Sequence, residues 1–182
     1  MEWLNEPPEW DATDDGLNLT TGDQGDFWRA THYGFIRDTG HFAGHRQDGD
    51  FTATVRFDAD YEAQYDQAGL MVRVNEENWL KTGIEYFDGH RHFSAVVTRE
   101  FSDWSVVRWS HDGPVWVRIV RKGTTYAIHA SPDGDDWTMV RLLYLPSEGA
   151  VMVGPTACSP SRAGLSVRFT RLTLSDPIEF SA

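Results

Sequence analysis

Asp66, Gln67, Arg73, Lys81, Glu85 and His92 fall within one short stretch of the chain. Their charged or planar heads are the groups that grip the hydroxyls of a polyhydroxylated ligand, while Trp28, Trp79, Trp104 and Tyr33 offer flat apolar surfaces on which a sugar ring stacks. The first expectation is therefore a binding face made of Trp28, Asp66, Gln67, Arg73, Lys81, Glu85, His92 and Trp104. Hydrolysis of a glycosidic bond is the catalytic alternative, and it needs two carboxylates ~5–9.5 Å apart with one kept protonated. Glu85 with Asp66 or Asp103 are the candidates. The same residues also fit a solvated sheet face, where cross-strand pairs of Arg73, Lys81 and Glu85 contribute only ~0.2–1 kcal/mol each and the rings belong to the core.

The stretch that must position these groups runs from Tyr65 to Val97 and alternates apolar and polar residues with the two-residue period of a half-buried strand. It breaks at Asn75-Glu76-Glu77-Asn78 and at Asp88-Gly89, which predicts three antiparallel strands. A two-residue turn at Asp88-Gly89 sets Phe87 against His90 and Glu85 against His92, with Ile84 diagonal to Phe93 on the core side. Leu70, Val72 and Val74 join Leu80 and Ile84 on that side only if the preceding loop has an odd length, which places Arg73 opposite Lys81. Gln67, Gly69, Met71, Arg73, Lys81, Gly83, Glu85, His92 and Ser94 then share the other face. Gly69 and Gly83 remove side chains where a ligand could approach.

The remaining chain reads as further short strands separated by Gly, Asp and Pro turns, with no capped run of 3.6-residue period. Phe51, Ala53, Val55 and Phe57 are expected in the core, as are Val115, Val117, Ile119, Tyr126, Ile128 and Ala130. Trp3 to Trp10, with Pro7 and Pro8, reads as an extended lead-in covering an edge, and DTGHFAGHRQDGD as a glycine-rich loop. At 182 residues the chain suits one domain, 1–182, an all-β sandwich.

A formal net charge of −12 argues against nucleic acid and anionic membranes as partners. Cys158 stands alone, so no disulfide framework exists; a reducing cytoplasm is the expected location, and an inert packing role is expected for the thiol. The opening MEWLNEPPEW lacks an export pattern, and no segment approaches the ~20 apolar residues of a membrane span. His41 with His45, or His90 with His92, lack completing ligands for a metal, and Asp133 to Asp136 read as turn chemistry in preference to a Ca²⁺ loop. No phosphate loop, dinucleotide fingerprint or nucleophile elbow occurs, so no cofactor is implied.

The runs YDQAGLMVRVNEENWLKTGIEY, DFWRATHYGF, TREFSDWSV, SPDGDDW, VGPTACSP and VRFTRLTL resemble the domain of unknown function 1349 family, whose name also refers to regulation of enolase. The resemblance spans nearly the whole chain. It implies an all-β concanavalin A-like lectin/glucanase fold, a jelly-roll sandwich of two curved antiparallel sheets, and no agreed activity. QAGLMV and the DG-W element are also similar to the β-sandwich module at the C-terminal end of some β-xylosidases. Glucanase relatives carry a Glu-x-Asp-x-x-Glu strand motif that this chain lacks, and Asp88 in Glu85-Tyr86-Phe87-Asp88 falls in a turn. The reading is thus a non-catalytic module whose concave face takes a carbohydrate or small polyhydroxylated metabolite. Its rivals are a sugar-processing enzyme using Glu85, and a regulatory protein-interaction domain suggested by the family name.

Overall fold

A computed structural model describes residues 1–180; the last two positions of the expected 1–182 domain lie outside the described residues. The strands in chain order are β1 (Glu2–Leu4), β2 (Glu9–Thr13), β3 (Gly16–Thr20), β4 (Phe27–Arg29), β5 (Ile36–Asp38), β6 (His41–Gln47), β7 (Phe51–Ala59) and β8 (Asp66–Arg73). They continue with β9 (Asn78–Phe87), β10 (His90–Arg99), β11 (Phe101–Arg108), β12 (Val115–Lys122), β13 (Thr125–Ser131), β14 (Thr138–Tyr144), β15 (Val151–Cys158) and β16 (Ser166–Ser175). One sheet has the order β1-β6-β15-β8-β9-β10-β11 and the other β14-β13-β12-β7-β16-β3-β2, every pairing antiparallel; β4 and β5 form a separate hairpin. The architecture is all-β, and no helix among the described residues is long and apolar enough to cross a membrane.

The two sheets close on one core. Phe51, Ala53, Val55 and Phe57 of β7 meet Leu70, Val72, Leu80, Ile84, Phe93, Ala95 and Val97 from the opposite sheet, with Val115, Val117, Ile119, Tyr126, Ile128 and Ala130 beside them. Each Val, Leu, Ile or Phe among them contributes about 1.5–3 kcal/mol by leaving water. Strand parity drives this choice, since a one-residue slip would bury the charged set in place of the apolar one.

The Asp88-Gly89 turn has φ of 50° and 75°, the left-handed pair that a type I′ hairpin requires, and Phe87 faces His90 while Glu85 faces His92. Ile84 lies directly opposite Phe93, not diagonal to it. The residues between the paired Arg73 and Trp79, positions 74–78, are odd in number as expected, but Lys81 pairs with Met71 and not with Arg73. The reason is a tight loop in which the Val74 amide donates to Asn78 O (3.0 Å) and Asn75 Oδ1 accepts from the Glu77 and Asn78 amides (2.9 Å each). Pairing therefore extends one step further along the hairpin than the spacing of Arg73 and Lys81 suggested.

Two other expectations change. Trp3 to Trp10 is two edge strands, β1 and β2, one in each sheet, with the prolines between them where no ladder hydrogen bond is needed. The glycine-rich stretch from Asp38 to Asp50 is mostly β6. Its glycines serve contact, not looping: a Cβ on Gly40 would press on Phe27 and Cys158, and one on Gly44 on Met152 and Phe42. Gly69 and Gly83 oppose each other, and a Cβ on either would strike the carbonyl of the neighbouring strand, at Thr82 and Ala68 respectively. Close strand approach is thus what these two glycines supply.

Candidate functional site

Arg73, Lys81, Glu85, His92 and Ser94 share the concave face with Gln67, Met71, Trp79, Val96 and Trp104, as the cross-strand register requires. That face is not open along its length. The segment from Asp26 to Gly40 folds over it and seals a second apolar cluster of Phe27, Trp28, Phe42, Met71, Trp79, Val96 and Cys158. Charged anchors hold the cover down. Arg73 grips Asp38 with two bonds of 2.7 Å, Lys81 Nζ lies 3.0 Å from Asp26 Oδ1, and Arg29 reaches Glu77 (2.9 Å) while its amide donates to Ser102 Oγ (2.9 Å).

Beside this cover the concave sheet keeps a cavity of about 240 Å³. Lys81, Glu85, Asp26 and Gln67 form its polar part, and Trp28, Tyr33, Phe35, Tyr65 and Trp104 its aromatic walls; Arg37, Val96, Pro160 and Ser161 complete the lining. The floor is largely buried: side-chain exposure is 8% for Lys81 and 13% for Asp26. Burial works against the Lys81 charge, but Asp26 above all outweighs it and the ammonium is held above its ordinary pKa. Lys81 is therefore a fixed cation and hydrogen-bond donor, not an amine nucleophile.

Glu85 behaves in the opposite sense. Burial pushes its carboxyl above the usual carboxylate range, only partly offset by Lys81 and by hydrogen bonds involving Ser94 and Trp104. The Trp104 indole donates to Glu85 Oε2 at 2.9 Å and to Ser94 Oγ at 3.1 Å, so the same ring walls the cavity and orients the carboxyl. Cys158, under the floor, is pushed up to about 12 by burial, which leaves an inert thiol at neutral pH. The left-handed backbone of Tyr65 (φ 67°) and of His32 (φ 64°) lies at this end of the sheet, where non-glycine strain of about 1–3 kcal/mol each is held by the surrounding structure. His32, with Thr31, Ser102, Asp103 and the outer sides of Trp28, Tyr33 and Trp104, lines a second depression of about 510 Å³.

Trp28, Gln67, Lys81, Glu85 and Trp104 of the expected site come together in the cavity. Asp66 does not: it is fully buried and accepts from the Glu62 and Ala63 amides (3.1 Å each), Ser159 Oγ (3.2 Å) and Arg162 Nη2 (2.7 Å). Arg73 is engaged by Asp38 in clamping the cover. His92 stacks on Phe87 at 3.8 Å and sits outside the cavity lining. Asp103 is exposed, pairs with Arg141 at 3.2 Å and reaches only the outer depression. Neither expected partner carboxylate shares the cavity with Glu85; Asp26 does. Sequence reasoning also missed Phe35, Arg37 and Tyr65, although the aromatic density of DFWRATHYGF was the signal for a cover. Trp79 is core, and Trp10 is the exposed tryptophan, so the surplus indoles form no broad surface patch among the described residues.

A family described as "Protein of unknown function (DUF1349)" matches residues 3–177. The chain belongs to the DUF1349 family. This DUF1349 protein is 42% identical over 177 residues to "Regulation of enolase protein 1" of Saccharomyces cerevisiae, covering 97% of this chain and 89% of that protein. It superposes on the crystal structure of a functionally unknown protein from Saccharomyces cerevisiae with a TM-score of 0.95 and 41% identity, over 98% of this chain and 97% of that one. More remote neighbours share the fold alone. The carbohydrate binding module CBM66 from Bacillus subtilis gives a TM-score of 0.57 at 11% identity, covering 96% of this chain and 95% of that one. The GH43 BlXynB protein from Bacillus licheniformis gives 0.63 at 19% identity, covering 91% of this DUF1349 chain but 35% of its own length. The fold is the concanavalin A-like β-sandwich that the motifs implied.

Proposed function

We propose that this DUF1349 protein is a non-catalytic binding module that takes one ring of a carbohydrate, or a polyhydroxylated metabolite of that size, in the concave cavity. The observation that carries the reading is the buried Asp26–Lys81–Glu85 floor beneath the aromatic walls of Trp28, Tyr33, Tyr65 and Trp104. Carboxylates and a fixed ammonium satisfy hydroxyls in both hydrogen-bonding senses, and the indoles cover the apolar face of a pyranose or furanose. Size supports the same class, since about 240 Å³ falls below the ~300–1,000 Å³ of drug-sized pockets. The Bacillus subtilis neighbour CBM66 is a carbohydrate binding module, which agrees with this choice.

A thermal-shift screen of monosaccharides, sugar acids, amino sugars and polyols tests it. A saturable stabilisation that is lost in Glu85→Ala and Lys81→Ala, with both variants folded, is the expected result; silence across the panel sinks the reading. Glycoside hydrolysis stands as a second reading because Asp26 and Glu85 line one cavity and Glu85 is disposed to hold a proton. Aryl-glycoside turnover abolished by Glu85→Gln, with binding retained, would establish it instead.

A further inference from the structure

The outer face of the second sheet, away from the concave cavity, carries an arginine that pairs with no carboxylate among the described residues. Arg118 of β12 lies directly opposite His129 of β13. Its guanidinium carbon sits 3.7 Å from the centre of the Trp137 ring, and Trp137 is fixed in turn by donating its indole N–H to Gly134 O at 2.8 Å. No ion pair among the described residues involves Arg118. Arg118 Nε and His129 Nδ1 are both shielded from solvent and without a hydrogen-bond partner, and His129 is only 8% exposed. Buried polar atoms without a partner are rare in folded proteins and call for an explanation.

Nearby acidic groups do not fill the role. Asp133 Oδ1 is taken by Ser131 Oγ and by the Asp135 and Asp136 amides within its own turn. Glu179 pairs with Lys122 at 2.7 Å, further along β12. Trp137 covers Arg118 on one side, and Phe180 lies against His129 and Lys122. A guanidinium held flat on an indole keeps its N–H fork free for bidentate contact, the geometry that matches a carboxylate or a phosphate. In a chain of net charge −12, the overall field repels anions, so a cation held on the Trp137 ring and paired with no carboxylate among the described residues is a local feature.

We propose that Arg118 and His129 form a second ligand site for a compact oxyanion, a carboxylate or a phosphate monoester, independent of the concave cavity. The full chain is titrated separately with inorganic phosphate and with succinate, at constant ionic strength maintained with sodium chloride, while the Trp137 indole N–H resonance is followed. A saturable shift with one or both anions is expected, weakened about tenfold or more in Arg118→Gln, as for loss of a charge-assisted hydrogen bond. Arg168→Gln, which removes the same charge elsewhere on the sheet, leaves the shift intact. The anion that binds more tightly identifies the group recognised. Should Arg118→Gln fail to fold, His129→Gln gives the same reading. A response that does not saturate, or one that Arg118→Gln and His129→Gln leave unchanged, or that Arg168→Gln removes equally, overturns the proposal.

Discussion

Replacing Lys81 by Met keeps the length of the side chain and deletes its charge from a floor where Lys81 Nζ lies 3.0 Å from Asp26 and the two side chains are 8% and 13% exposed. Breaking a buried ion pair from one side costs about 3–5 kcal/mol, because the remaining charge keeps its desolvation penalty. Here Asp26 retains the Phe27 amide (2.8 Å) and Gln67 Nε2 (3.5 Å), which favours the lower end, about 3 kcal/mol. That is a large share of the ~5–15 kcal/mol by which domains are stable, and at ~1–3 kcal/mol per M it moves a urea midpoint down by about 1–3 M. Asp26→Asn combined with Lys81→Met removes both charges and should recover most of the loss, giving a coupling of about 1–3 kcal/mol in a double-mutant cycle. Urea unfolding followed by tryptophan fluorescence reads all three variants. A Lys81→Met cost under about 1 kcal/mol, the size of an exposed pair, or strict additivity in the double variant, would refute a buried, paired floor.

Glu85→Gln tests the neighbouring carboxyl through pH. Its folded pKa is raised, so the folded chain binds that proton more tightly than the unfolded chain; the associated stability is present at low pH and is lost as pH rises through the folded value. Glu85→Gln should therefore gain on wild type as the pH rises above the ordinary carboxylate range, and a variant that instead loses stability toward neutral pH shows Glu85 held ionised by Lys81. Gly83→Ala forces a Cβ against the Ala68 carbonyl and should cost about 1–3 kcal/mol or more in denaturant unfolding; a neutral effect would show that the strands can separate. Arg73→Ala frees Asp38, and amide exchange across Phe27 to Asp38 should speed up about 10–100-fold while the core strands hold; unchanged exchange would mean the cover does not depend on that clamp.

Much of the fold was legible because parity is a strict rule. The apolar set Leu70, Val72, Leu80, Ile84 and Phe93 forced Lys81 and Glu85 onto one side, and the positive-φ turn at Asp88-Gly89 fixed their hairpin. The register of the first hairpin was off by one pairing step because the carboxamide of Asn75 tightens its loop, a detail that alternation does not encode. β6 was hidden because Gly40 and Gly44 mimic loop chemistry while serving close packing. Asp26 was invisible for a different reason. It meets Lys81 across 55 positions of sequence, and only the folded cover reveals that the binding floor borrows its second carboxylate from outside the Tyr65 to Val97 stretch. Arg73 and Asp66 were misjudged for the converse reason, since their charges are satisfied by Asp38 and Arg162.

The most direct measurement is an indole N–H spectrum of the tryptophans, eight in the sequence, recorded with the sugar or polyol that stabilises the protein most. Trp28 and Trp104, which wall the cavity, are predicted to shift together and to saturate, with Trp10, Trp116 and Trp137 unmoved. Shifts confined to tryptophans outside the cavity, or no shift at Trp104, whose N–H is bonded to Glu85, would contradict a binding site on the concave sheet.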